Sequence, residues 1–222
     1  YFNGKNKEVE IEIKYPRNSC TPLEGFFVHA NYNSDDDIFT VQSNFQGPFS
    51  LHSVLSRALK VDEGRLRLIS IENSGGSFGI KQAIMPMIIL TCLASKISKK
   101  NIVWIEDRIE HLTAASSATG RLTKIRASVT KDGFINALDF DQVDDVGAYL
   151  RAPEPASLYR MHGNLSGPYK VKHISCRNRV VVTNKTPTGL NRGFGGPQHY
   201  FALERLMKKI SDELKINHLD VI

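Results

Sequence analysis

Two glycine-rich turns set the strongest limits on how this chain can fold. The first is Ser74-Gly75-Gly76-Ser77-Phe78-Gly79, and the second is Asn191-Arg192-Gly193-Phe194-Gly195-Gly196-Pro197-Gln198. Each stands between an extended segment and a segment of helical period. Glycine admits positive φ and lets another group touch the backbone, and consecutive N–H groups ahead of a helix form a concavity for anions. Both turns are therefore candidate sites for phosphate or oxo ligands. Neither matches a nucleotide-binding loop: the first lacks GxGxxG, the second follows no βαβ unit, and no Gly-Lys-Ser/Thr follows either set of glycines. On residue chemistry alone the reading stops at two polar-backbone turns able to cradle an anion.

Around those turns the hydrophobic period changes repeatedly. Residues 9–13 alternate with acidic side chains as a half-exposed strand does, and 25–30 and 38–42 are expected strands. In 50–60 the residues Leu51, Val54, Leu55, Ala58 and Leu59 mark one face of a helix. A strand is expected over 66–71, then a mostly apolar helix over 82–97, with Pro86 tolerable near its first turn. Residues 102–105 read as a short buried strand and 106–112 as a charged turn or helix. Residues 122–130 and 134–141 flank Lys131-Asp132-Gly133, a hairpin signal. The stretch 151–168 is less regular, and 171–183 reads as a strand or strand pair. A last helix over 199–214 takes its apolar stripe from Phe201, Leu203, Leu206, Met207, Ile210 and Leu214. Strands and helices mix without strict βαβ alternation, which selects the α+β class. With no internal repeat or linker, the chain reads as one compact unit.

Composition narrows the function. Of 222 residues, 41% are hydrophobic and 23% charged, ordinary for a globular protein. The longest apolar run free of charges, 83–95, is shorter than a bilayer span and reads as a buried helix. The N-terminus has no secretory signal pattern. Cys20, Cys92 and Cys176 show no CxxC or Cys/His spacing, so neither a zinc site nor a disulfide framework is expected, and a reducing cytoplasm is the simplest setting. His29, His52, His111, His162, His173, His199 and His218 lack metal-ligand spacing. The 29 Lys+Arg against 23 Asp+Glu give a net charge of +6, but the basic clusters at 96–100 and 208–209 are not interleaved with aromatics. Neither nucleic acid nor membrane is an expected partner.

Seven segments, in order, resemble the large subunits of molybdenum hydroxylases, the xanthine oxidase and aldehyde oxidase family. Arg192-Gly193-Phe194-Gly195-Gly196-Pro197-Gln198 is similar to the family's RGFGGPQ and Gly75-Gly76-Ser77-Phe78-Gly79 to its GGxFG. Cys20-Thr21-Pro22-Leu23-Glu24 resembles its His-Ala-Pro-Leu-Glu, and Asn44-Phe45-Gln46-Gly47-Pro48 its Thr-Gln-Gly-Pro. Trp104 through His111 resembles W-x-E-D-R-x-E, Gly167-Pro168-Tyr169 its Gly-Pro-Tyr, and Thr183 through Gly189 its TNxTPTG. The match covers nearly the whole chain.

The resemblance implies a first molybdopterin-binding domain over residues 1–222, of mixed strands and helices. It implies cofactor contacts from Gln46, as donor to an oxo group, from Gly76, Phe78 and Gly79 through backbone groups, and from Arg192 and Gly193. Phe194 would face the substrate, joined by Gln82 and, by an ungapped count from Tyr169, Arg160. Gln82 stands where purine-oxidising members carry Glu, which argues against xanthine. Gly193 stands where CO-oxidising relatives carry a copper-binding Cys, which argues against a molybdenum–copper site. The implied activity is hydroxylation of aldehydes or N-heterocycles with water as oxygen source. The implied cofactors are molybdopterin with molybdenum, in the cytosine dinucleotide form, and FAD and [2Fe-2S] on partner domains or subunits. The partners are then the rest of the large subunit, an FAD-binding medium subunit and an iron-sulfur small subunit. The catalytic Glu near the end of the family's large subunit and the preceding α/β hammerhead domain have no counterpart in these residues. The chain is expected to be inactive alone; the alternative is a truncated, non-catalytic assembly or binding module.

Overall fold

Acidic and apolar residues alternating near the start of the chain form strand β1 (Lys7–Tyr15), and the other elements follow the period changes of the sequence. They are β2 (Phe27–Asn33), β3 (Ile38–Ser43), α1 (Pro48–Leu59), β4 (Leu66–Ser70), α2 (Met85–Ser98), β5 (Ile102–Ile105), α3 (Arg108–Ala114), β6 (Gly120–Val129), β7 (Ile135–Asp145), α4 (Ala156–Tyr159), β8 (His173–Val181) and α5 (Gly196–Leu214). The structure, a computed structural model, describes residues 1–221.

The expected single compact unit is instead two. Unit 1 comprises Tyr1–Asn18, Ala118–Thr188 and the chain from Gly193 on, and unit 2 comprises Ser19–Ser117 and Gly189–Arg192. The division escapes a linear reading because unit 2 is inserted into unit 1 and no boundary carries a linker composition. One boundary falls inside the second glycine-rich motif, between Arg192 and Gly193.

Unit 1 is a four-stranded sheet of order β1-β6-β7-β8 with α5 packed on one face. β1, β6 and β7 are antiparallel neighbours, with a bulge at Ser128/Val129, and β8 runs parallel to β7. Cross-strand partners on the inner face of β6 and β7 change character along the strands: Ala127↔Leu138 and Ile125↔Phe140 are apolar, while Thr123↔Gln142 and Arg121↔Asp144 are buried and polar. The apolar end joins Val9, Leu203, Leu206, Met207 and Ile210 in one core. Helix α5 begins at Gly196, ahead of the expected residue 199, because Pro197 has its φ preset for a first turn and lacks only an N–H that the turn leaves unpaired. Its buried stripe is Ala202, Leu203, Leu206, Met207 and Ile210. Phe201, expected in that stripe, is 45% exposed and packs edge-on to Tyr15 at 5.7 Å.

Unit 2 is a four-stranded sheet of order β4-β3-β2-β5, its parallel pair β3 and β4 joined through α1. Phe26, Val28, Phe39, Val41, Leu51, Leu55, Ile84 and Ile88 share its core. The expected helix over 82–97 divides into a 3-10 helix at Ile80–Ile84 and then α2, whose Pro86 lies in the first turn. Helix α2 is not wholly buried as expected: Ile88, Thr91, Cys92 and Ser95 are covered, whereas Leu90, Leu93 and Ile97 are exposed. The covered positions recur at i, i+3, i+4 and i+7, one narrow helical face. By length and composition the stretch Ile80–Ser98 meets the size of a membrane span, as core helices also do, and its Ile80, Ile84, Ile88 and Cys92 lie in the unit 2 core.

Leu206→Ala, which opens a cavity at a residue with no solvent exposure, is expected to destabilise the protein by about 2–5 kcal/mol. Phe201→Ser, at a half-exposed position of the same helix, should stay within about 1 kcal/mol. Denaturant unfolding of the two variants measures the difference.

Candidate functional site

Each glycine turn sits on an ion pair whose cation is buried. In unit 2 the first turn winds through Gly76 (φ 89°), Phe78 (φ 54°) and Gly79 (φ 104°). A Cβ on Gly79 would stand 2.7 Å from Leu190 Cγ and 2.8 Å from the Leu190 carbonyl oxygen, so the backbones touch there only because glycine allows it. Glu24 is the hub below. Its Oε2 accepts from Lys81 Nζ at 2.5 Å, Asn44 Nδ2 at 2.8 Å and Gly75 N at 2.9 Å. The Lys81 side chain is fully buried, and an ammonium at that depth requires its counter-charge. Burial acts to raise the Glu24 pKa, but the hydrogen bonds from Lys81, Asn44 and Gly75 outweigh it and hold the carboxyl below its ordinary range.

The turn gathers the residues expected of it in this unit. Ser77 Oγ donates to Gln46 Oε1 at 2.6 Å, Gln82 N donates to the Gly79 carbonyl, and Arg192 N donates to the Phe78 carbonyl at 2.8 Å. Gln46, Gly76, Phe78, Gly79, Gln82 and Arg192 are thus linked through one turn. The segment ahead of Glu24 is fastened in turn by the Trp104–His111 motif. Arg108 Nη2 donates to the carbonyls of Pro22 and Leu23, Glu106 Oε2 accepts from Phe26 N and faces His111 Nδ1 at 2.8 Å, and Asp107 and Glu110 form a capping box on α3.

In unit 1 the second turn repeats the pattern with Gly193 (φ 89°), Phe194 (φ 22°) and Gly195 (φ 85°). A Cβ on Gly195 would overlap the Ser157 carbonyl oxygen. That oxygen accepts from Arg121 Nη2 at 2.9 Å, and the buried Arg121 guanidinium pairs with Asp144 through two bonds of 2.6 and 2.9 Å. Ser157 Oγ bridges Asp144 and Glu154, and burial is the main cause raising the Glu154 pKa. Gln198 Nε2 donates to the Thr119 carbonyl at 3.1 Å. Phe194 is 7% exposed. Arg160 lies on the surface after α4, and its side chain has no partner among the described residues.

The Thr183–Gly189 motif is held from β7. Asp145 Oδ1 accepts from Thr183 Oγ1 and Oδ2 from Lys185 Nζ, both at 2.5 Å, while Arg17 Nη1 donates to the Thr186 carbonyl. Burial pushes the Asp145 pKa up, but the bonds from Lys185, Thr183 and Gly147 N and the charge of Arg17 prevail and hold it at about 2.

The donor set fits a group rich in anionic oxygen and sulfur. The N–H groups of Gly76, Ser77 and Phe78, and those of Gly193, Phe194 and Gly195, have no acceptor among the described residues. The Gln46 amide nitrogen and the exposed Arg192 guanidinium are also without partners there. Gln82 Oε1 is buried and lacks a donor. Such groups need ligand or water.

Sequence reasoning assigned no role to Glu24, Asn44, Ser77, Lys81, Arg121, Asp144 or Asp145. A signal was present for some. Lys81 is a lone charge directly before an apolar helix, and Arg121 and Asp144 are charges at inward positions of a hairpin. Ser77 carries none, because its partners are set by the shape of the turn.

Comparison with known proteins follows this geometry. The family model described as molybdopterin cofactor-binding domain matches residues 2–222. The chain is similar to the nicotine 6-hydroxylase large subunit of Paenarthrobacter nicotinovorans, with 30% identity over 99% of this chain and 27% of that protein. It is also 30% identical to the gamma subunit of the 6-hydroxypseudooxynicotine dehydrogenase complex of the same organism, over 74% of this chain and 20% of that protein. Among solved structures, quinoline 2-oxidoreductase from Pseudomonas putida 86 superposes with a TM-score of 0.91 at 25% identity, over 97% of this chain and 28% of that one. The chain therefore spans about a quarter of the length of these relatives.

Two outcomes follow from the buried charges. Glu24→Gln leaves Lys81 without its counter-charge and should destabilise the protein by about 3 kcal/mol, the low end for breaking a buried pair because about a third of the Glu24 side chain meets solvent. Thermal unfolding measures it. Asp145 is depressed from 3.8 to about 2 in the folded state, so its contribution is complete above the unfolded value and is lost as pH falls through the folded one. The stability difference between the native protein and Asp145→Asn should be level above about pH 5 and shrink toward pH 2. A difference that grows on acidification would contradict this.

Proposed function

The chain belongs to the molybdopterin cofactor-binding domain family, and from that premise we propose that it supplies part of the active site of a molybdenum hydroxylase acting on N-heterocycles or aldehydes. The bound cofactor would supply the oxidative hydroxylation chemistry. The residues of this chain bind and orient. Each turn by itself offers donors to anionic atoms, in unit 2 the backbone N–H groups at 76–78 and in unit 1 those at 193–195, and in unit 2 the Gln46 amide N–H would donate to an oxo oxygen. The Arg192 guanidinium balances cofactor charge. The Gln82 side chain, whose Oε1 is buried without a donor, is an amide that, unlike a carboxylate, can neither carry charge nor take up a proton on the substrate side. Phe194 furnishes an apolar wall and Arg160 a cation on the substrate side. Relatives named for nicotine and quinoline support the heterocycle class. Partner subunits carrying FAD and [2Fe-2S], the cytosine dinucleotide form of the pterin and a cytoplasmic setting belong to this proposal, the last supported by three free cysteines.

The observation that carries the proposal is the pair of turns with acceptor-free N–H groups, each fixed by an ion pair whose cation is buried. Metal and pterin analysis of the intact complex tests it: about one molybdenum per chain is expected, and a complex without molybdenum and pterin would overturn it. Such a complex should turn over a pyridine- or quinoline-type heterocycle with kcat/KM at least about tenfold above that for xanthine, because the Gln82 amide cannot exchange a proton with the purine as a carboxylate would, and a positioned acid or base contributes about a hundredfold or more.

A further inference from the structure

We propose that Ser77 is a positioning residue that fixes which end of the Gln46 amide is offered to the cofactor. The inference rests on the assignment of Gln46 as donor under the proposed function, and deepens it. Ser77 Oγ lies 3.3 Å from Gly79 N and 3.2 Å from Lys81 N, groups that only donate. A hydroxyl has two lone pairs and one hydrogen. Both lone pairs are thus occupied, and the hydrogen goes to Gln46 Oε1 at 2.6 Å. An amide turned through 180° would press its NH2 against an oxygen with nothing left to accept. Oε1 therefore faces Ser77 and Nε2 faces away, where it has no partner among the described residues.

The constraint matters because the two ends of an amide have opposite polarity. A freely turning Gln46 would spend part of its time presenting an oxygen to the oxo group, which repels it. The Gln46 backbone is tied to the same turn, its N–H reaching the Lys81 carbonyl at 3.4 Å. One turn thus supplies free backbone donors and orients a side-chain donor.

The test uses the intact complex carrying Ser77→Ala, Ser77→Thr, Gln46→Ala or Ser77→Ala with Gln46→Ala. It reads the rate at which molybdenum and pterin are lost on warming, together with the thermal midpoint. Ser77→Ala is expected to speed the loss about fivefold, the effect of one uncharged hydrogen bond, and Ser77→Thr to stay near the native rate. In the Gln46→Ala background Ser77→Ala should add nothing to that rate. The capping of Gly79 and Lys81 by the hydroxyl reads out separately, as the fall in midpoint that Ser77→Ala still causes in the Gln46→Ala background. If Ser77→Ala speeds the loss by the same factor without Gln46, Ser77 is only a cap and the inference is overturned. It is likewise overturned if Gln46→Ala speeds the loss and Ser77→Ala does not. If Gln46→Ala itself leaves the rate unchanged, the donor assignment is wrong and the inference falls with it.

Discussion

An ammonium with no solvent contact governs unit 2. The Lys81 side chain is fully buried and its counter-charge is Glu24, so the carboxylate cannot move away without stranding a charge in low dielectric. Because the same Glu24 oxygen accepts from Gly75 N and Asn44 Nδ2, the glycine turn is tied to the carboxylate that the buried ammonium holds in place. Unit 1 solves the same problem with different residues. Arg121 and Asp144 face each other across β6 and β7, and the guanidinium holds the Ser157 carbonyl against which Gly195 packs. A flexible loop is in each case rested on a charge pair that the core cannot release.

The rigidity has a use. Phe78 and Phe194 both adopt positive φ, the first directly before Gly79 and the second between Gly193 and Gly195, which do the same, a region unfavourable by about 1–2 kcal/mol for a bulky L-residue. Such backbone persists only where its surroundings over-determine it. Turns with left-handed residues can point neighbouring N–H groups to one side, and those groups are the ones without acceptors among the described residues. The strain and the open donors are the same feature seen in energy and in geometry. The two rings differ in placement: Phe78 is 44% exposed and Phe194 7%.

Much of the fold was legible because period and punctuation are local. The 102–105 strand, the Asp132-Gly133 hairpin and the Pro86 position in the first turn of α2 are fixed by neighbours in sequence, and each was found, although the strand is not buried as expected, Val103 and Ile105 being exposed at the sheet edge. What escaped depends on distant residues. The division into two units turns on which strands pair, and β1 pairs with β6 across the whole of unit 2. The outward turn of Phe201 depends on how far α5 rolls against its sheet. At the site, glycines and the resemblance pointed to the turns, but Glu24 and Lys81 lie far apart in sequence, and no spacing rule links a Glu before one strand to a Lys after another loop.

A site built from backbone N–H groups divides its labour in an unusual way. Side-chain substitution on the turn does not remove a backbone donor; it acts by changing φ or by introducing a Cβ where carbonyl groups already stand, as at Gly79 and Gly195. Charge complementarity toward an anionic group is therefore set by chain path, while discrimination among substrates falls to the few side chains that reach the ligand. Gln82 illustrates the second part: its buried Oε1 lacks a donor, and as an amide it can neither carry charge nor exchange a proton with a ligand. The ion pairs supply no chemistry of their own, yet without them the path would relax and the donors would turn to water.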